Sequence, residues 1–129
     1  MRVLLDTHVW LWMLGAPRRI AQRSRELLDS ADNELVLSAA STWEIAIKYA
    51  SGRLPFPGDP EALVPTMMAE TRVAPLEVSH AHSLRVARLP LHHRDPFDRL
   101  LIAQAQIERV PIMTADPHFG AYDVEVIAA

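Results

Sequence analysis

Four acids stand where strands end or helices begin: Asp6, Glu44, Asp98 and Asp116. Asp98 is the most informative of them, because it lies inside Asp95-Pro96-Phe97-Asp98-Arg99. An Asp followed by Pro reads as N-cap and first helical residue, since proline has a fixed φ and no N–H to waste. Asp98 then falls three residues past the cap. The first turn of a helix carries unpaired N–H groups and partial positive charge, which keep a carboxylate ionised as a hard-metal ligand must be. An acid at that position is also ordinary helix capping, so the chemistry depends on whether other acids converge on it.

The elements that must position these acids alternate. Arg2-Val3-Leu4-Leu5 reads as a strand buried on both faces that delivers Asp6 at its carboxyl end. A helix follows from Thr7 until Gly15-Ala16-Pro17 stops it; residues 20–30 form a second, amphipathic helix. Leu35-Val36-Leu37 is the second strand, and residues 38–50 the helix that carries Glu44. In that helix Ser41-Thr42-Trp43-Glu44 has the S-x-x-E spacing of a capping box, so Glu44 has an alternative role as a cap, or as an i,i+4 partner of Lys48. Asp59-Pro60 starts a helix to about Arg72, with Pro65 expected to shorten or kink it. Residues 73–78 are extended around Pro75, residues 79–89 are helical behind a Ser79 cap, and the Asp95 helix runs to Arg109. Residues 110–114 and 124–127 complete the strands, with Asp116-Pro117 as another cap between them.

Strands alternating with helices at these spacings predict a three-layer α/β domain on a parallel sheet, one domain over residues 1–129. Ligands of such sheets gather outside the carboxyl ends of the strands. Asp6, Glu44 and Asp116 belong at that edge, and Asp98 joins them provided Val73 to Leu76 is a strand of the same sheet. Four acids without matching bases repel one another, and burial raises their pKa values. A divalent cation resolves this; oxygen donors favour Mg2+ or Mn2+. A cation held so activates water and neutralises charge on a phosphoryl oxygen, which makes phosphodiester hydrolysis the natural reaction.

Composition narrows the field. The chain has 129 residues, half of them apolar, which suits one domain with a sizeable core. There is no cysteine, so disulfides, thiolate zinc sites and a cysteine nucleophile are excluded. No apolar run approaches the roughly 18 to 20 residues that span a bilayer, and the expectation is a soluble cytoplasmic protein. The formal charge is -3, from 13 basic against 16 acidic residues, so no overall basic field draws the chain to nucleic acid. All but one of the basic residues are arginine, whose planar fork binds phosphate well.

The segments Leu4-Leu5-Asp6-Thr7-His8, Ser41-Thr42-Trp43-Glu44-Ile45, Asp95-Pro96-Phe97-Asp98-Arg99 with Ile102-Ala103-Gln104-Ala105, and Thr114-Ala115-Asp116 resemble, in this order, the PIN-domain ribonucleases. More closely they resemble the VapC-like toxins of type II toxin–antitoxin systems. The resemblance covers essentially the whole chain and implies a Mg2+- or Mn2+-dependent endoribonuclease whose acidic quartet here is Asp6, Glu44, Asp98 and Asp116. It also implies a homodimer and a cognate antitoxin that covers or enters the site. The metal role goes to Asp98, which keeps the family's offset to Ile102-Ala103, leaving Asp95 as the cap. Two other classes remain: a non-catalytic PIN-like RNA-binding or assembly module, and another Mg-dependent phosphoryl hydrolase. The first needs an acid of the quartet missing. The second commonly has an acid two residues after a nucleophilic Asp, or a glycine-rich phosphate loop, and neither occurs here.

Arg94 and Arg99 flank the acidic helix start and are candidate phosphate contacts, with a salt bridge to the acids as the alternative. His92 and His93 do not make a zinc site by sequence, because no spacing supplies four ligands. Trp43 and Met113 read as core. Trp10, Trp12, Met13, Met67 and Met68 read as a partner surface for an amphipathic antitoxin segment. Trp10 and Trp12 lie about 200° apart on a helix, so one is expected to point inward and the other out.

Overall fold

The computed structural model describes all residues from Met1 to Ala129. Its five strands are β1 (Arg2–Leu5), β2 (Glu34–Ser38), β3 (Val73–Leu76), β4 (Ile112–Thr114) and β5 (Val126–Ala128). They form one sheet in the order β3-β2-β1-β4-β5, and every pairing is parallel. The helices are α1 (Thr7–Gly15), α2 (Gln22–Asp29), α3 (Ala39–Ala50), α4 (Pro60–Glu70), α5 (His80–Arg85) and α6 (Pro96–Glu108). No helix is long and apolar enough to cross a membrane.

Strand side chains alternate between two cores, which is what a parallel sheet covered on both faces requires. Val3, Leu5, Leu35, Leu37 and Met113 join Val9 and Trp10 of α1, Ile45 of α3 and Val64 of α4. Leu4, Val36 and Ile112, one residue out of step with them, join Leu101, Ile102 and Ala105 of α6. The result is the three-layer α/β arrangement expected from the sequence. Because β3 pairs with β2 in this sheet, α6 crosses back from one edge toward β4 and begins at the carboxyl edge. Asp98 thereby reaches the same edge as Asp6.

Several elements depart from the sequence reading. The helix expected over residues 79–89 divides into α5 and a 3-10 turn, Val86–Arg88, while that expected over residues 20–30 begins at Gln22, with a separate 3-10 turn, Pro17–Arg19, ahead of it. Helix α4 runs unbroken through Pro65, which lies six residues in. Trp43 is not core: it is 59% exposed and meets Phe97 edge-on at 5.2 Å. Trp10 is not partner surface: it is fully buried, and its Nε1 donates to Thr71 Oγ1 at 3.1 Å. Periodicity assigned the two indoles of α1 to opposite sides without saying which went in. Trp12 is the outer one, half-buried under the Arg19 guanidinium. Met113 is core as expected, while Met13, Met67 and Met68 are half-buried against the α1 side.

Candidate active site

Asp6 follows β1 directly and caps α1 by position, yet its side chain accepts no capping hydrogen bond. It is 4% exposed. One oxygen, Oδ2, accepts from Thr114 Oγ1 at 2.8 Å, and the other, Oδ1, is buried with no partner. Thr114 also accepts the Asp116 N–H at 3.0 Å, so one hydroxyl at the end of β4 ties the two acids together.

Glu44 is 3% exposed in the second turn of α3. The cap of that helix is Ser38, whose Oγ accepts from Ala40 N at 3.0 Å, so the S-x-x-E spacing is not a capping box. Ser41 instead lies buried and accepts from Thr7 Oγ1 at 2.8 Å. Glu44 Oε2 bonds to the Lys48 ammonium one turn on, and Oε1 is buried without a partner.

Asp95 and Asp98 separate as their positions in the helix predict. Asp95 Oδ1 accepts from Phe97 N at 2.8 Å and from Asp98 N at 3.1 Å, which is a complete N-cap. Asp98 is free of capping duty and points into the cleft. Burial pushes its carboxyl up to about 8, and the charges of Asp6, Asp95, Glu44 and Asp116 push the same way. Burial likewise raises Asp6, only partly countered by the Thr114 hydrogen bond. Asp116 behaves oppositely. Partial burial works against its ionisation, but the backbone and ring of His118 and the ring of His93 donate to it, and its pKa falls below the ordinary carboxylate value.

His93 is the residue that sequence reasoning passed over. Its Nδ1 accepts the Asp95 N–H at 3.2 Å, which leaves the neutral ring's proton on Nε2. That nitrogen sits 2.9 Å from both Asp98 Oδ2 and Asp116 Oδ2. The only sequence signal was a histidine two residues before an Asp-Pro cap. Arg99, in contrast, is not available to phosphate, nor does it pair with an acid. Its guanidinium donates to the carbonyls of Val86, Leu89, Pro90 and His93 and to Tyr122 Oη, so it braces the segment before α6. Arg94 is exposed and forms no ion pair, and His8 is exposed beside Asp6.

The arrangement suits a hard divalent cation on its own chemistry. Two buried carboxylate oxygens lack any donor, a third carboxyl is pushed toward its protonated form by desolvation and then by its acidic neighbours, and all three acids offer oxygen. Asp6, Glu44 and Asp98 would hold such an ion, with Asp116 at the rim.

A parallel three-layer sheet with an acidic cleft at its carboxyl edge defines the class. Residues 3–125 match the PIN domain, and the chain belongs to the PIN-domain family. Over 60 residues it is 43% identical to Ribonuclease VapC16 of Mycobacterium tuberculosis, a match spanning 46% of this chain and 43% of that protein. The aligned stretch is thus less than half the length of the curated relative. Similar solved structures include VapBC2 from Rickettsia felis bound to a DNA fragment from their promoter, with TM-score 0.74, 14% identity and 99% and 98% of the two chains covered. DNA-bound VapBC from Salmonella typhimurium superposes with TM-score 0.74, 12% identity and 99% and 98% coverage. VapBC-1 from nontypeable Haemophilus influenzae gives TM-score 0.67, 21% identity and 99% and 98% coverage. At these identities the likeness establishes the fold.

Proposed function

We propose that the chain is a divalent-metal-dependent endoribonuclease, the toxin of a type II toxin–antitoxin pair acting in the cytoplasm, with Asp6, Glu44, Asp98 and Asp116 as its acidic quartet. The observation that carries this reading is the pair of unpartnered, buried oxygens on Asp6 and Glu44 beside an Asp98 carboxyl pushed up to about 8. The name of the VapC16 relative and the toxin–antitoxin complexes among the structural neighbours support it.

A bound Mg2+ or Mn2+ supplies activation of the attacking water and neutralises charge on the phosphoryl oxygen. The chain's own residues prepare for it. Thr114 orients Asp6 and Asp116 through one hydroxyl. Lys48 offsets the Glu44 charge until a cation takes over. Asp95 keeps the α6 N–H groups occupied, so Asp98 stays directed into the cleft. Exposed Arg94 supplies a phosphate contact at the rim, and Trp43 against Phe97 offers an apolar face beside Glu44 and Asp98. Half-buried Trp12, Met13, Met67 and Met68 suit an amphipathic antitoxin segment, and exposed Ile47 and Leu84 suit a second copy of the chain.

The test is cleavage of single-stranded RNA by the purified chain with Mg2+ or Mn2+. Cutting that EDTA abolishes, and that Asp98→Asn abolishes, is the expected result. A folded chain that binds neither ion would overturn the quartet.

A further inference from the structure

One of the three tryptophans is left in solvent. Trp10 is fully buried and Trp12 lies half-buried under Arg19, whereas Trp43 is 59% exposed. Trp43 immediately precedes Glu44 on α3, and the ring it meets, Phe97, immediately precedes Asp98 on α6. The two rings meet edge-on, with centroids 5.2 Å apart and planes at 72°. Phe97 is half-buried, and its N–H donates to the Asp95 cap at 2.8 Å. An anchored ring therefore holds the indole beside the two helices that carry site acids, and most of the indole still faces water.

Charge decides what such a surface takes. The chain has a formal charge of -3. Of the basic residues nearest the acids in sequence, Arg99 is spent on carbonyls and Lys48 is bonded to Glu44. Arg94 is exposed and makes no ion pair. A nucleic-acid strand bound here has few phosphates neutralised, so counterion release supplies little of its affinity. Stacking a base on an aromatic ring needs no cation and changes affinity by about tenfold.

We infer that Trp43 is a stacking platform for an unpaired nucleobase of the substrate, and that stacking more than phosphate neutralisation holds single-stranded RNA at the cleft. The substrate's identity rests on the endoribonuclease reading. The base must be unpaired, because bases inside a duplex are already stacked on both faces. Phe97 keeps the indole in place before RNA arrives, so little freedom is lost on binding. Ile47, one turn further along α3, is also exposed, so the oligomeric state is measured beside RNA binding.

Fluorescence anisotropy with a labelled oligoadenylate of about six nucleotides tests this, in the Asp98→Asn chain with Mg2+ present. That background reads binding whether or not the wild type cuts RNA, so this inference and the nuclease reading fail separately. Adding Trp43→Ala is expected to weaken binding by about tenfold, and Trp43→Phe, which keeps an aromatic face, by about threefold or less. A strand of the same length and charge but without bases is expected to bind at least about tenfold more weakly than oligoadenylate. Raising NaCl from about 50 to about 200 mM is expected to cost about threefold, the change for one neutralised phosphate, with or without Trp43. In sedimentation, Trp43→Ala is expected to keep the oligomeric state of its parent. Equal affinity in Trp43→Ala, equal binding of the baseless strand, a salt-driven loss of about a hundredfold, or no binding by the folded parent would each overturn the platform. A dimer that Trp43→Ala dissociates would overturn it too and assign the indole to a second copy of the chain.

Discussion

The two halves of the cleft use the same residue type to opposite ends. In the deep half, Asp6 and Glu44 are buried and Asp98 half-buried, one oxygen on each of Asp6 and Glu44 has no donor, and desolvation raises Asp6 and Asp98. At the rim, Asp116 accepts from His93 and from the ring and backbone of His118, and its pKa is lowered. A carboxylate supplied with donors is stable as an anion, and one deprived of them waits for a cation or a proton. The deep half is therefore built at the expense of stability, and the rim half adds to it.

The largest expected effect separates the halves by activity and stability together. Asp98→Asn is expected to lower RNA cleavage by about a thousandfold or more, while raising the thermal midpoint of the metal-free chain above pH 8, where the wild-type carboxyl is ionised. A lowered midpoint would show that the deep acids are already satisfied and would break the contrast.

The pH dependence follows with its sign. Asp98 is raised from 3.8 to about 8, so across that window the unfolded chain has lost a proton that the folded one keeps. Stability of the metal-free protein is therefore expected to fall as pH rises through the window and to level off above it. Urea midpoints measured from pH 5 to 9 should show that slope in the wild type and much less of it in Asp98→Asn. An identical slope in both would assign the titration elsewhere.

Arg99 sharpens the contrast from the rim side. It braces the segment before α6 that carries His93, so Arg99→Ala is expected to cost about 2 kcal/mol by denaturant titration, through lost charged hydrogen bonds to the carbonyls of Val86, Leu89, Pro90 and His93. An unchanged stability with a weakened RNA affinity would return Arg99 to the substrate.

The smallest effect has the opposite sign to the first. Asp116→Asn is expected to destabilise the metal-free chain at pH 7 by about 1 kcal/mol, because it removes the charge that His93 and His118 bond to. Since the folded pKa lies below the unfolded value, that loss should disappear as pH falls through the folded pKa. A stabilised Asp116→Asn would place Asp116 with the deep acids.

Local signals carried much of the fold. The strand runs at Val3-Leu4-Leu5 and Leu35-Val36-Leu37 were readable because alternate side chains enter two cores, leaving no polar face. Asp95 and Asp98 were separable because cap and N3 positions differ in which backbone N–H groups they face. Trp43 and Trp10 were misplaced because an aromatic residue on a helix looks alike to sequence whether the neighbouring layer covers it or not. The S-x-x-E spacing left capping open as an alternative for Glu44, and the structure closes it because Ser38 starts the helix one turn earlier.

By itself the sequence determined the alternation of elements, the caps and the four acids, since these depend on spacing over a few residues. Only the tertiary structure decided which acids lack donors, that Arg99 is spent on carbonyls, and that His93 and His118 face one carboxylate. Those outcomes depend on burial and on partners brought together by the crossover from β3 through α6 to β4, which no local spacing encodes.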